Sequence, residues 1–329
     1  MLPQPRPESD AAIDVLGLGQ NSVDHMCLVK EYPAHGSKSD AIGYHLLPGG
    51  QVATATLAAH RLGLRACYVG AVGDDDLGAR APEVLRREGV RVELKVVREA
   101  HTQFAMIIVD EQGERTIVEH YDPRTVVTAA DLRRELLVSA RVLHLDITDV
   151  PAAIQAARWA REAGTLVSLD IDRLLPRAEE LLELVDLLVA SEGLPEALGC
   201  PDPHLALFTL RRYCRGFVCI TRGERGCVAL DGNDALWAPA FDVDVVDSTG
   251  CGDVFRGALL YGVLEGWAAS RALRFASAAA AIQAGSLGAQ SGVPSRGQVE
   301  AFLASPPPVH EQTGLGREWR DSSQRETDG

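Results

Sequence analysis

Seven residues, Asp247-Ser248-Thr249-Gly250-Cys251-Gly252-Asp253, stand between a strand-like run over 241–246 and a long apolar run with helical spacing over 254–264. Two glycines at a helix start let the backbone come close to a ligand, and the free N–H groups and dipole of that helix start favour an anion. Asp253, at the mouth of such an anion hole, is placed to take a proton from an attacking hydroxyl. The chemistry that suits this spacing is phosphoryl transfer, with Gly250, Cys251 and Gly252 supplying amides. Asp, Ser, Thr and Gly are also the ordinary residues of a helix cap and tight turn, so the segment takes its meaning from the rest of the chain.

Other positions carry weaker signals. Gly49-Gly50 stands just before a helix-period run over 52–62 and can bring amides to a polar ligand or simply turn the chain. Asp24 follows the first strand; its carboxylate can accept two hydroxyls, as a polyol requires, or can be solvated. Asp146 and Asp170 fall at the carboxyl ends of expected parallel strands, where ligands of open α/β sheets bind, although capping explains them too. The stretch Thr221-Arg222-Gly223-Glu224-Arg225-Gly226 links two strand-like runs, and its glycines allow either a nucleotide against the backbone or a plain turn. Beside Cys251, six dispersed cysteines without a C-x-x-C suggest neither a disulfide framework nor a zinc site. A thiol at a helix start can be acidified, but the simpler reading of Cys251 is a backbone N–H donor. A P-loop of the form G-x-x-x-x-G-K-[ST] is missing, and the histidines show no H-x-x-x-H pair.

These positions need a scaffold. Strand-like runs at 13–19, 66–69, 142–145, 165–169 and 187–190 alternate with helical runs at 52–62, 79–88, 152–163 and 178–184, which means βαβ units and a mainly parallel sheet covered on both faces. Runs at 26–29, 41–47, 90–97, 102–109 and 115–119 lack intervening helices and predict a small separate sheet with antiparallel hairpins. Such an insertion is a natural lid, and a lid excludes competing water from phosphoryl transfer. The formal charge of −14 over 329 residues argues against a nucleic-acid polymer as partner. No run approaches the ~20 apolar residues of a membrane helix, and residues 1–12 lack an apolar secretion signal, so a cytoplasmic protein without membrane contact is expected. Residues 1–12 and the polar, Pro-containing tail 305–329 are expected to be disordered.

The two glycine segments together resemble the ribokinase-like, or PfkB, family of carbohydrate kinases over residues 13–304. Asp247 to Asp253 is similar to that family's D-T-x-G-A-G-D signature with Ser248 and Cys251 changed, and Gly49 to Thr54 with Gly70 to Gly78 resembles its N-terminal signature. The resemblance implies a three-layer α/β/α fold with a β-sheet lid from about 24–47 and 90–119. It also implies ATP and Mg2+ as cosubstrate and metal, and transfer of the γ-phosphoryl group to a hydroxyl of a small sugar or sugar derivative. By the same resemblance Asp253 is the base and Gly250, Cys251 and Gly252 form the anion hole. Asp24, Gly49, Gly50, Thr54 and Asp146 fall at substrate positions, with Thr54 where many members carry Asn. Thr221, Gly223, Gly226 and Ser277 fall at ATP positions, and Asp247 and Thr249 where many members organise a monovalent cation such as K+. The usual N-x-x-E is replaced by Ala190-Ser191-Glu192-Gly193-Leu194, leaving Glu192 the one candidate for Mg2+. Ser-Glu here, Gly113-Glu114-Arg115 and Asp244 to Asp247 are similar to the ketohexokinase and sulfofructose kinase branch. A nucleoside kinase of this fold would need an aromatic wall, for which the lid offers Tyr44 and Phe104. An inactive sensor would have no need of Asp253 and both glycines. The sequence leaves the oligomeric state open, and an exposed edge of the lid sheet is a candidate contact for a homodimer through the lid.

Overall fold

Aliphatic runs buried along their whole length make the centre of the chain. The computed structural model describes residues 1–310 except 9, 10, 174, 201, 215 and 233. In chain order its strands are β1 (Ile13–Leu18), β2 (Ser22–Leu28), β3 (Gly43–Gly49), β4 (Ala66–Gly73), β5 (Arg91–Val97), β6 (Phe104–Val109), β7 (Arg115–His120), β8 (Ala140–Leu145), β9 (Leu166–Ile171), β10 (Leu187–Ser191), β11 (Phe217–Thr221), β12 (Cys227–Asp231) and β13 (Asp234–Ala238). Nine of them form one sheet in the order β13-β12-β11-β10-β9-β8-β1-β4-β5. Pairing is parallel from β11 through to β5, and antiparallel where β12 and β13 close the far edge.

Helices cover both faces, because strands buried on two sides need apolar partners on each. One face packs against helices Gln51–Arg61, Cys251–Leu264 and Ala269–Ala284, through residues such as Val15, Leu57, Leu259 and Leu273. The other packs against Val150–Glu162, Ala178–Leu182 and Pro203–Tyr213, through Leu16, Leu143, Ile154 and Leu207. The expected α/β/α layering is therefore present. From β1 the chain goes to β4 on one side and later to β8 on the other. The strand order thus reverses at β1, and the crevice at the carboxyl ends of β1, β8, β9 and β10 is the natural ligand site.

A second sheet, in the order β3-β2-β6-β7, is the expected lid. Strand β2 pairs antiparallel to β3 and parallel to β6, and β6 and β7 form the hairpin read from the sequence. Met26, Ala105, Ile107 and Val109 make its own small core, against which Leu287 of the main body packs.

Several expectations are corrected. The run at 90–97 was expected in the lid, yet β5 pairs parallel to β4 at the edge of the large sheet; alternation alone cannot tell which sheet a strand joins. The single helix over 79–88 is two short ones, Asp76–Arg80 and Glu83–Arg87, because Pro82 interrupts the backbone donors. The strand-like run at 241–246 forms only one bridge, Phe241 to Val309. The start of the chain, expected to be disordered, makes contacts: Leu2 is buried, and the Arg6 guanidinium donates to the carbonyls of Val138 and Ala140 at 2.5 and 2.6 Å. Of the expected disordered tail, residues 311–329 lie outside the described residues, while the His310 N–H donates to the Ala240 carbonyl. No helix among the described residues is long and apolar enough to cross a membrane.

Candidate active site

The signature loop is tied down before it meets any ligand. Asp247 has no exposed surface; one carboxylate oxygen accepts from the Thr249 N–H and Oγ1 at 2.9 and 2.7 Å, and the other from the Gly288 N–H at 2.8 Å. Gln283 Nε2 donates to the carbonyls of Thr249 and Gly288, which clamps the same turn. Gly250 then enters helix Cys251–Leu264 with φ 78°, a left-handed conformation that glycine adopts without the Cβ clash of other residues. A Cβ at Gly250 would also stand 2.6 Å from Ala289 Cα. No side chain caps this helix, so its first N–H groups face the crevice, apart from that of Cys251, which lies 3.3 Å from the Ser248 carbonyl.

Asp253 sits in the first turn of that helix, its side chain 15% exposed. A helix start favours a carboxylate, and on that ground Asp253 is expected to be ionised at neutral pH. The surroundings change this. Burial pushes its carboxyl up to about 7, with Asp24 and Asp172 adding to the rise and Arg256 and Arg115 opposing it. Burial likewise raises the Cys251 thiol to about 12, which rules out the acidified thiol. Behind Asp253, Arg256 is buried from the same helix: its Nη2 is 2.6 Å from Asp170 Oδ1 and 3.0 Å from Ser191 Oγ, and its Nη1 is 3.8 Å from Asp253 Oδ1. In front, Arg115 reaches down from β7 of the lid and donates from Nη1 to Ser248 Oγ. One lid cation and one buried cation therefore flank the carboxylate.

The acceptor side is built from the chain that enters the lid. Asp24 on β2 is 4% exposed, accepts from Ser22 Oγ at 2.9 Å, and burial raises its carboxyl to about 6. Gly49 on β3, opposite Ser22 of β2, must be glycine for this approach, since a Cβ there would stand 2.3 Å from Asp24 Oδ2. Gln290 Nε2 donates to the Gly49 carbonyl at 3.2 Å and to Thr54 Oγ1 at 3.4 Å, so Asp24, Gly49, Gly50 and Thr54 form one neighbourhood. Glu119, on the same face of the lid as Asp24 by strand register, pairs with Arg173 at 3.9 Å. Asp146 is at the end of β8 as expected, but its carboxylate is used inward: it accepts the N–H groups of Gln20 at 2.7 Å and Thr148 at 2.9 Å.

On the nucleotide side, Thr221 ends β11 beside Ser191 of β10, and its Oγ1 donates to the Ala190 carbonyl at 3.3 Å. Gly223 and Gly226 make the tight turn into β12, closed by the Arg222 N–H to the Gly226 carbonyl at 2.7 Å. Glu192 is ion-paired with Arg225 of that turn. Ser277 is buried on helix Ala269–Ala284, and no hydrogen bond joins it to the 221–226 turn among the described residues. Asp253, Asp24 and the signature amides are thus brought to one crevice, with the 221–226 turn at its rim beyond Ser191. Sequence reasoning missed Arg256 and Gln290, and placed Arg115 only by branch resemblance. The one available signal was a charged residue inside the apolar run at 254–264.

Comparison with known proteins agrees with this fold. Residues 14–296 match the family described as pfkB family carbohydrate kinase. The chain is 31% identical over 296 residues to Probable fructokinase-4 of Arabidopsis thaliana, covering 81% of this chain and 90% of that one. It is 28% identical to the ribokinase of Bacillus subtilis, covering 87% of this chain and 98% of that one. Among solved structures, Arabidopsis thaliana ribokinase complexed with ribose and ATP superposes with a TM-score of 0.76 at 24% identity, over 89% of this chain and 99% of that one. The chain belongs to the pfkB family of carbohydrate kinases. It is a phosphotransferase with an alcohol group as acceptor, in a family of ATP-using sugar and nucleoside kinases.

Proposed function

We propose that this chain transfers the γ-phosphoryl group of ATP to a hydroxyl of a small sugar or sugar derivative, with Asp253 accepting the hydroxyl proton. The observation that carries this is the half-buried Asp253 at an uncapped helix start, between Arg115 and Arg256 and across from Asp24. The acceptor O–H bond breaks as the new P–O bond forms, the proton passes to Asp253, and ADP leaves with the old bridging oxygen. The amides of Gly250 and Gly252 take the charge of the moving phosphoryl group, and that of Cys251 joins them by leaving its long contact with the Ser248 carbonyl. Asp24 and the backbone at Gly49 and Gly50 hold acceptor hydroxyls, Thr54 sets the shape of that wall, and Asp146 fixes the loops beneath. ATP lies along Thr221, Gly223 and Gly226, with Ser277 on the adenine side, and Mg2+ arrives on its phosphates. Glu192 is committed to Arg225, so the metal is assigned no carboxylate of this chain.

One observation favours a sugar over a nucleoside. By register, Phe104 is opposite Val23 and Tyr44 opposite Cys27, so both aromatics lie on the lid face away from Asp24. The Asp24 face offers Leu47, Ala105, Ile107, Ile117 and Glu119, with the His45 imidazole as its one ring among the lid strands and neither Phe104 nor Tyr44 to wall a base. Relatives named fructokinase and ribokinase fit this reading, although a nucleoside kinase of Methanothermobacter thermautotrophicus is also 26% identical. The test is ADP release across a panel of ketoses, aldoses, their anionic derivatives and nucleosides, with Asp253→Asn as control. Turnover with a sugar that vanishes in the variant supports the reading; ATP binding without turnover anywhere in the panel overturns it.

Two finer points belong with it. The buried Asp247 and Thr249 organise a turn that suits K+, and turnover is expected to rise in K+ over the same ionic strength of tetramethylammonium; equal rates would remove the cation from the proposal. The outer lid face exposes Tyr44, Met106 and Val118, each more than half accessible, which supports a homodimer through the lid. Val118→Glu is expected to halve the mass measured by light scattering, and a monomeric wild type would reject the dimer.

A further inference from the structure

Arg256 occupies a position in which a charge is costly without a purpose. Its side chain is 3% exposed, in a helix otherwise free of charge beyond Asp253, and its Nε is buried with no acceptor among the described residues. The guanidinium passes beneath the signature loop so closely that a Cβ at Gly252 would stand 2.6 Å from Nη1. Two carboxylates share it: Asp170, fully buried at the end of β9, at 2.6 Å, and Asp253 at 3.8 Å. Ser191 at the end of β10 accepts from Nη2 at 3.0 Å and fixes the orientation of the fork.

We propose that Arg256 is the positioning residue of phosphoryl transfer: held by Asp170 and Ser191, it aims Asp253 into the crevice and keeps it ionised, and Asp170 sets how much of that cation Asp253 receives. The inference rests on the phosphotransfer reading and adds to it the origin of the base's charge. A carboxylate in this crevice meets many others. Asp24 from the lid and Asp172 beyond β9 oppose its ionisation, and Asp170 does so from behind in its charged form, which burial disfavours and Arg256 favours. Arg115 from the lid favours it, while Cys251 on the same helix turn is kept neutral by burial. Arg115 belongs to an element that must open for substrate, so Arg256 is the cation that remains throughout the cycle. A guanidinium shared between two carboxylates responds to both. Deleting Arg256 must make Asp253 harder to ionise, and deleting the charge of Asp170 must make it easier.

The signs are therefore opposite. In Arg256→Gln the acid limb of the kcat profile is expected to move to higher pH, with turnover at neutral pH falling about tenfold per unit of movement and recovering as pH is raised. In Asp170→Asn the limb is expected to move to lower pH. KM for ATP and for the acceptor should stay within about threefold in both, since both side chains are buried beneath the signature loop. The same shifts are read without turnover from the 13C carboxyl titration of aspartate-labelled protein, in which the Asp253 resonance is the one lost in Asp253→Asn. Movement of that midpoint up in Arg256→Gln and down in Asp170→Asn supports the proposal. An unmoved midpoint, or a kcat reduced equally at every pH, overturns it and leaves Arg256 a packing residue. Should Arg256→Gln fail to fold, with Asp170 left unpaired, Asp170→Asn decides alone: a lower midpoint supports, an unchanged or higher one overturns. A wild type that turns over no acceptor would end the phosphotransfer reading, while the titration still decides the role of Arg256.

Discussion

Replacing Asp253 with Asn is expected to lower kcat by about 10²–10⁴-fold, the usual contribution of a positioned proton acceptor, while ATP affinity stays near that of the wild type. The amide has the shape of the carboxyl and keeps the helix start intact, so what is lost is the ability to take a proton. The acid side of the wild-type profile should report the same group. With its carboxyl held up to about 7 by burial, Asp253 is protonated below that pH and cannot act as base, so kcat should rise through about pH 7 and level off above it. Stability runs the other way. A carboxyl raised on folding contributes stability that is fully present below its unfolded value of 3.8 and is lost as pH rises through about 7. Asp24, raised to about 6, acts in the same direction. Asp253→Asn should therefore raise the melting temperature more at pH 8 than at pH 5. A variant with wild-type turnover would remove Asp253 from the chemistry, and one with equal stabilisation at both pH values would show that its carboxyl is not held up.

The layers of the fold were legible because their causes are local. A run such as Ile13 to Leu18, apolar at nearly every position, can only be a strand buried on both faces, and helical runs between such strands enforce a parallel sheet. The hairpin of β6 and β7 was legible for the same reason, since Gly113 marks its turn. Which sheet β5 joins was not, because strand assignment is a long-range choice decided by packing. The candidate site divides along the same line. Gly250 and Asp253 announce themselves by a spacing within one turn of helix. Gln290 meets Gly49 across 241 positions of sequence, and Arg256 meets Asp170 across strands. No window of sequence contains both members of either pair. The ionisation of Asp253 was misjudged for this reason: the helix start is visible in the sequence, but the burial and the two further aspartates that outweigh it are assembled only by the fold.

Removing the charge of Arg115 is expected to be the next most damaging change. In the crevice the cations that face Asp253 are Arg256 behind it and Arg115 before it, and only Arg115 stands on the side from which a phosphoryl group would approach. Its strand belongs to the small sheet, so that sheet is what carries the positive charge to the signature helix. A sheet that moved with substrate binding would assemble these electrostatics only with both substrates enclosed. Arg115→Gln should lower kcat by about 10²–10³-fold, the range found when one preorganised donor is removed from a transferring centre. The acceptor KM should change less, because in the proposed site Asp24 and the backbone at Gly49 would hold the hydroxyls independently of Arg115. The acid limb should also move above its wild-type position, since Arg115 is one of the two cations that oppose the rise at Asp253. Ser248→Ala offers the contrast. Ser248 accepts from Arg115 and has no charge of its own to contribute, so its loss should cost less than about threefold. A guanidinium that acts on the phosphoryl group predicts a large effect at Arg115 and a small one at Ser248; a mere latch between lid and body predicts similar losses from both. Steady-state kinetics of the two variants across pH 5.5–9 separates these outcomes, and equal losses with an unmoved limb would reduce Arg115 to the latch.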